Sequence, residues 1–201
     1  MSSLFDPNIQ QNSLTAKITA GLERISEAYK VLLWDFAKKE GLSPIQVQLL
    51  IFIAYHPTEL NGVSALAKEF NLTKATISDA VKTLLSKGLV QKTASTEDNR
   101  SYSLSLTSMG QQIVKAAESF ADPIKNILNT IDGAKTESFY KTLSDLIYNL
   151  NQTGILSVQR TCKACRFYQV QDGGHYCNYL NTRLADKDIR LDCPEFEKSP
   201  V

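Results

Sequence analysis

Cysteine is missing from the first 161 residues of this 201-residue chain; Cys162, Cys165, Cys177 and Cys193 all fall in the last forty. No disulfide framework can therefore span the body of the chain. Excess charge of one sign is missing too. Lys and Arg number 22 against 21 Asp and Glu, a formal net charge of +1. Bulk charge thus points to neither nucleic acid nor membrane, any basic surface must be local, and long-range steering is modest. Long apolar runs are absent: the longest, "LLIFIAY" from Leu49 to Tyr55, is far short of the roughly 18 residues that signal a membrane span. The opening "MSSLFDPNIQQNS" has no basic start followed by an apolar run, so it does not read as a secretory signal. There is no internal repeat and no low-complexity segment. The expected location is the cytoplasm, where clustered cysteines are metal ligands more often than disulfides. What is present is an ordinary 43% hydrophobic content, enough for one medium domain with an appendage.

The patterning is mostly helical. Residues 1–12 read as a polar arm. From Ser13 to Lys39, Leu14, Ile18, Leu22, Ile25, Tyr29, Leu32, Leu33 and Phe36 recur at steps of three and four, the period of a helix with one apolar face. Gly41 closes it. Ser43 and Pro44 open a second helix that His56-Pro57 ends. Apolar on most faces after Val47, it reads as central. A short helix fits Val63 to Phe70, with Asn71 at the turn. Thr73 caps a helix from Lys74 to Ser86, and Gly88 ends it. "LVQKTA" and "SYSLSLT" read as two strands around the polar turn "STEDNR". The helical stretch that follows contains Pro123, which predicts a break near Asp122. Gly133 interrupts, and "TESFYKTLSDLIYNLNQ" forms a last amphipathic helix that Gly154 ends.

The stretch "LAKEFNLTKATISDAVKTLLSKGLVQK" followed by "EDNRSYSLSLTSMG" resembles the multiple-antibiotic-resistance regulator (MarR) family of winged-helix transcription factors. It carries, in order, the LA helix, the capped recognition helix, "L..KGLV", the D.R wing and "L.LT..G". The resemblance spans about residues 13–152. The fold expected is mainly α with a small β-hairpin wing: a winged helix-turn-helix flanked by long dimerisation helices, plus a small C-terminal metal-binding module. The expected division is a flexible arm at 1–12, the DNA-binding and dimerisation domain at 13–154, and a four-cysteine extension at 155–201. A 13-residue recognition helix is about 20 Å long and can lie across a major groove about 12 Å wide. Thr73, Lys74, Ala75, Thr76 and Ser78 are short or flexible enough for close approach to base edges, and Lys82 is placed for a phosphate. The resemblance makes Arg100 the wing arginine of a minor groove and Asp98 its brace. Composition gives only thin support: residues 61–110 hold Lys68, Lys74, Lys82, Lys87, Lys92 and Arg100 against Glu69, Asp79, Glu97 and Asp98. In the resembled family the flanking helices intertwine between subunits, which would bury Leu14, Ile18, Leu146, Ile147 and Leu150. The partners implied are a second copy of the chain and double-stranded DNA with a pseudo-palindromic site.

The tail lies outside the resemblance. Cys162 and Cys165 form C-x2-C, and Cys177 and Cys193 return from outside that loop. Four thiolates complete a tetrahedral zinc site, the first reading. An iron–sulfur cluster is the second, with Cys193-Pro194 as its cue. A redox dithiol or disulfide is the third. Arg160, Lys163 and Arg166 would offset the thiolate charge, His175 reads as a neighbour rather than a ligand although it could substitute for Cys177, and Gly173-Gly174 gives a tight turn. Some 40 residues are too few to be stable by burial alone, so a metal staple is expected. Nothing in the pattern is open-sided as a catalytic metal site must be, so no enzyme is expected. The resemblance implies a small-molecule effector between the dimerisation helices and the winged core, near Tyr29, Trp34, Phe52 and Tyr55, although taken singly each reads more readily as an ordinary core aromatic. The function expected is sequence-specific transcriptional regulation responsive to a small molecule or to metal or redox state. The alternative is a metal or thiol redox protein that uses the helices as a scaffold.

Overall fold

The computed structural model describes residues 6–94 and 102–199. Part of the expected arm is a helical turn, α1 (Pro7–Gln10), in which Gln10 N–H donates to the Asp6 carbonyl at 3.0 Å. Helix α2 (Leu14–Lys39) starts where Ser13 caps it, Oγ accepting from Ala16 N–H at 3.2 Å. It stops at Gly41, whose φ of +64° lies in the left-handed region that glycine enters freely. In α3 (Pro44–Tyr55) the Ser43 N–H donates to Gln46 Oε1 at 2.9 Å, and proline occupies the first turn. A helix apolar all round has to be enclosed. Val47, Leu49 and Leu50 are accordingly sealed from solvent, and α3 packs on α2, on the recognition helix, on the second wing strand and on the helix beyond it.

Helices α4 (Val63–Glu69) and α5 (Lys74–Ser86) meet through Asn71, which turns the chain at φ +53°. Strands β1 (Val90–Ala94) and β2 (Tyr102–Leu106) pair antiparallel from Val90↔Leu106 to Ala94↔Tyr102. Leu104, at the centre of β2, is fully buried, and its N–H donates to the Asn61 carbonyl at 3.2 Å. That bond ties the hairpin to the segment before α4. The tip with Glu97, Asp98 and Arg100 lies outside the described residues.

Thr107 begins α6 (Ser108–Ala117): its hydroxyl accepts from Gly110 N–H at 3.2 Å and donates to the Gly88 carbonyl at 2.7 Å. The break expected at Pro123 is present, since α6 ends at Ala117 and α7 (Asp122–Leu128) carries the proline in its first turn. A missing N–H costs nothing there. Helix α8 (Gly133–Gln152) starts earlier than the sequence reading placed it. Asp132 Oδ1 accepts from Lys135 N–H at 3.3 Å, and this cap draws Gly133 into the helix. Both flanking helices keep apolar side chains in solvent in the single chain, among them Leu14 (73% exposed), Ile18, Ile25, Phe139 and Leu146, while Ile147 and Leu150 are half-buried.

The tail is a small antiparallel sheet in the order β3 (Tyr168–Gln171), β4 (Gly174–Cys177), β5 (Thr182–Leu184). The sequence reading did not anticipate this sheet, because strands of three or four residues show no alternation long enough to register. The tight turn is Asp172-Gly173, both at positive φ, rather than Gly173-Gly174. Asp-Gly between two strands is the pair that a two-residue hairpin turn demands.

Candidate nucleic-acid interface and cysteine centre

The recognition helix is held by one stripe and free on the other. Ile77, Ala80, Val81 and Leu84 of α5 are buried in the core. Thr73, Lys74, Ala75 and Thr76 at its start are exposed, and Ser78 is partly so. Thr73 Oγ1 accepts from Thr76 N–H at 3.1 Å, which fixes the first turn while leaving the other early N–H groups pointing outward. The structure therefore brings five of the expected DNA contacts onto one open turn. Lys82 is exposed further along, paired with Asp79 at 3.0 Å. Both partners are in solvent, so this pair is weak and easily given up to a phosphate. Lys92 on β1 is a cation that the sequence reading passed over; its ammonium sits 4.2 Å from the Tyr102 ring centroid at the hairpin. The alternation of β1 around Lys92 was the available signal.

The four aromatics expected around an effector separate into different settings. Tyr29 and Trp34 line a groove of about 740 Å³ between α2 and α3, with Leu22, Ile25, Leu33 and Gln48. Phe52 is taken up by packing, stacked on His56 at 3.8 Å and edge-on to Phe70. Tyr55 is exposed, and its hydroxyl donates to Glu118 at 3.0 Å.

Cys162, Cys165, Cys177 and Cys193 are all free thiols and line one cavity of about 30 Å³, walled by Phe167, Tyr168, Tyr179, Leu180 and Leu184. A single 3₁₀ turn (Cys162–Ala164) presents the first two, with Cys165 N–H bonded to the Cys162 carbonyl at 2.9 Å. Cys177 ends β4, and Cys193 arrives on the returning segment. Among the described residues no three Cys, His, Asp or Glu side chains are grouped to hold one metal ion.

The cation beside the sulfurs is Arg190. Its N–H donates to Cys162 Sγ at 3.2 Å, and its guanidinium lies 3.7 Å from Cys193 Sγ and 2.7 Å from Glu195. Burial pushes the Cys162 and Cys193 thiols up, and these N–H groups pull the other way. The cations named from sequence are committed elsewhere: Lys163 pairs with Asp145, Arg166 with Glu197, and Arg160 with Glu69 and Asp192. Arg190 stands three residues before Cys193 and reaches Cys162 through the return of the chain. His175 sits between Tyr168 Oη, at 2.6 Å, and Asp186, at 3.0 Å, and does not line the cavity.

The tail is fastened to the helix-turn-helix by Arg160. Its side chain is only 12% exposed. It donates to both Glu69 oxygens at 2.8 and 3.0 Å and to both Asp192 oxygens at 2.7 and 3.1 Å. His56 Nε2 lies 2.8 Å from Asp192, and Ser157 donates its hydroxyl to the Lys68 carbonyl. Burial disfavours the Arg160 charge, but the hydrogen bonds to Asp192 and Glu69 outweigh it and hold the pKa above the ordinary value. Burial likewise opposes ionisation of Asp192, and Arg160 and His56 overcome it to hold that carboxyl below its usual range. On the other side, Lys141 of α8 pairs with Asp186 at 2.9 Å, and Tyr140 donates to the Ile189 carbonyl.

Comparison with known proteins agrees with this geometry. Residues 40–101 match the sequence profile of the MarR family. The chain is 28% identical over 151 residues to the HTH-type transcriptional repressor YetL of Bacillus subtilis, covering 74% of this chain and 79% of that protein. Among solved structures, a MarR protein from Peptoclostridium difficile superposes with a TM-score of 0.61 at 19% identity, covering 76% of this chain and 96% of that one. Streptococcus pneumoniae FabT, solved in complex with DNA, gives 0.58 at 22% identity, covering 68% and 97%. No helix among the described residues is long and apolar enough to cross a membrane.

Proposed function

We propose that the chain is a MarR-family transcriptional regulator that binds double-stranded DNA sequence-specifically as a homodimer and acts in the cytoplasm. The observation that carries the reading is the open first turn of α5, anchored by a buried stripe behind it. The relative solved with DNA supports the same use of the same fold. Ala75 and the threonine methyls suit thymine methyls, Lys74 suits guanine or phosphate, and Lys82 suits phosphate. Arg100, which falls between the two strands in sequence, is assigned to the minor groove by its place in the family motif. Leu14, Ile18, Ile25, Phe139 and Leu146, exposed on α2 and α8, supply apolar area for a second copy. A two-fold pair then sets two recognition helices about 34 Å apart, one turn of DNA. The groove at Tyr29 and Trp34 offers a place for an aromatic effector, and the thiol cavity is a metal-group site in the tail.

The test is fluorescence anisotropy of the full chain against its own promoter region and against random DNA of equal length, at about 50 mM salt, where phosphate contacts are only weakly screened. Preference for the promoter is expected. Equal affinity for both sequences at micromolar protein sinks the regulator reading.

A further inference from the structure

Arg160 touches three parts of the molecule at once. It belongs to the tail, its guanidinium holds Glu69 at the end of α4, and its Cζ stands 5.4 Å from the centroid of the Phe52 ring on α3. We propose that Arg160 is a positioning residue for DNA reading: by holding Glu69 it fixes the turn between α4 and α5, so that the tail sets how sharply the first turn of α5 discriminates between sequences. This inference rests on the DNA-binding reading above.

Glu69 is the last residue of α4. A carboxylate there faces the negative end of the helix dipole and disfavours the helix unless a cation neutralises it. The cation is Arg160, 91 positions further along the chain. Both side chains are largely withdrawn from water, at 12% and 20% exposure. Their two N–H···O bonds, at 2.8 and 3.0 Å, fix a direction as well as a charge. Asp192 is 48% exposed, so its bonds to the same guanidinium are worth less; the sheltered half of the clamp is the half on α4.

The four residues after Glu69 make the turn into the reading helix. Phe70 ends α4 and meets the Phe52 ring edge-on at 5.8 Å. Asn71 takes φ +53°, a conformation that its surroundings must hold in place. Leu72 N–H donates to the Ala67 carbonyl at 2.9 Å, and Thr73 caps α5. The tail grips the last turn of α4 at two adjacent residues, since Ser157 donates its hydroxyl to the Lys68 carbonyl beside Glu69. Without Arg160, Glu69 is a sheltered carboxylate with no counter-charge, and a group in that state moves toward water. Its movement carries the turn, and with it Thr73 and the start of α5. Arg160 itself is committed to two carboxylates and is no phosphate contact.

The experiment compares affinity of the full chain for its promoter region and for random DNA, well below the melting temperature, in Arg160→Gln, Glu69→Gln, the double variant and Arg166→Gln. Arg166 sits in an exposed pair with Glu197 elsewhere on the tail; its variant removes the same charge and should leave the promoter-to-random ratio unchanged. Arg160→Gln and Glu69→Gln should each lower that ratio by about tenfold, within the roughly 2- to 150-fold that contacting residues exchange. The double variant should lose no more than either single one. The slope of log K against log salt should match the parent's, because no phosphate contact is removed. Amide exchange at residues 70–73 should quicken in both single variants. A slope lowered by about one in Arg160→Gln makes it a phosphate contact and overturns the proposal. Losses that multiply in the double variant overturn it too, as does a ratio unchanged in Arg160→Gln while the melting temperature falls. A parent with no preference for the promoter defeats the regulator reading. Amide exchange at 70–73 then decides whether Arg160 holds the turn: quickened exchange supports the hold, and unchanged exchange overturns it.

Discussion

A β-carbon at Gly110 would stand 2.1 Å from the carbonyl oxygen of Leu89 and 3.1 Å from its carbon. The obstacle is backbone, so no side chain can rotate out of the way. Thr107 stitches the same place, accepting from Gly110 N–H and donating to the Gly88 carbonyl. The start of α6 is thus pressed against the root of the wing. Gly110→Ala is expected to cost about 1–3 kcal/mol, as overpacking does, and to shift the hairpin. Chemical denaturation should show a lowered midpoint, and promoter affinity should drop with it; a variant as stable as the parent would contradict the close approach.

Thr73 does two separable jobs. Its hydroxyl caps α5, and the residue is exposed on the first turn, where its methyl group is available to a thymine methyl. Thr73→Ala should lose about 1 kcal/mol of stability and weaken DNA binding. Thr73→Ser and Thr73→Asn restore the cap without the methyl. Their thermal stability should return to near that of the parent while sequence preference stays altered, as read by melting curves alongside a panel of single-base operator variants.

Lys82 and the first turn should divide the work of binding. Lys82→Ala is expected to weaken affinity nearly equally for all sequences and to lower the slope of log K against log salt by about one. Changes at Ala75 or Ser78 should instead move preference at single base pairs, by about 1–3 kcal/mol each. Arg100→Ala should weaken binding with the dimer and the fold intact. Losses for Lys82→Ala that depend on which base pair is changed would break this division.

Ile18 and Leu146 are exposed in the single chain at 52% and 37%. A glutamate there costs the isolated subunit little but places charge in an apolar interface. Light scattering of Ile18→Glu and Leu146→Glu should report monomers, and promoter binding should fall because one subunit covers only a half-site. A variant that stays dimeric would place the interface elsewhere.

The winged part was legible in the sequence because its signals are local and strong. Ser13, Ser43, Thr73 and Thr107 each open the helix that follows them, and Gly41 and Gly88 turn the chain at positive φ where helices end. The burial of Val47, Leu49 and Leu50 follows from a helix with no polar face. The tail was less legible, since its order depends on contacts between segments far apart in sequence. C-x2-C is visible as a string, but nothing in the string brings Arg190 to Cys162 or turns Arg160 away from the thiols toward Glu69. Phe52 shows the same limit. An aromatic in a central helix gives no sign of whether it lines a groove or stacks on a histidine one turn later.

The clamp between Glu69 and Arg160 spans 91 residues of chain, and this distance orders events during translation. At about 5–20 residues per second, Arg160 is made roughly 5–18 s after Glu69. The helix pair and the hairpin root are complete by then, and local elements fold far faster than that interval. Each new molecule therefore passes through several seconds in which its DNA-reading half exists without a clamp.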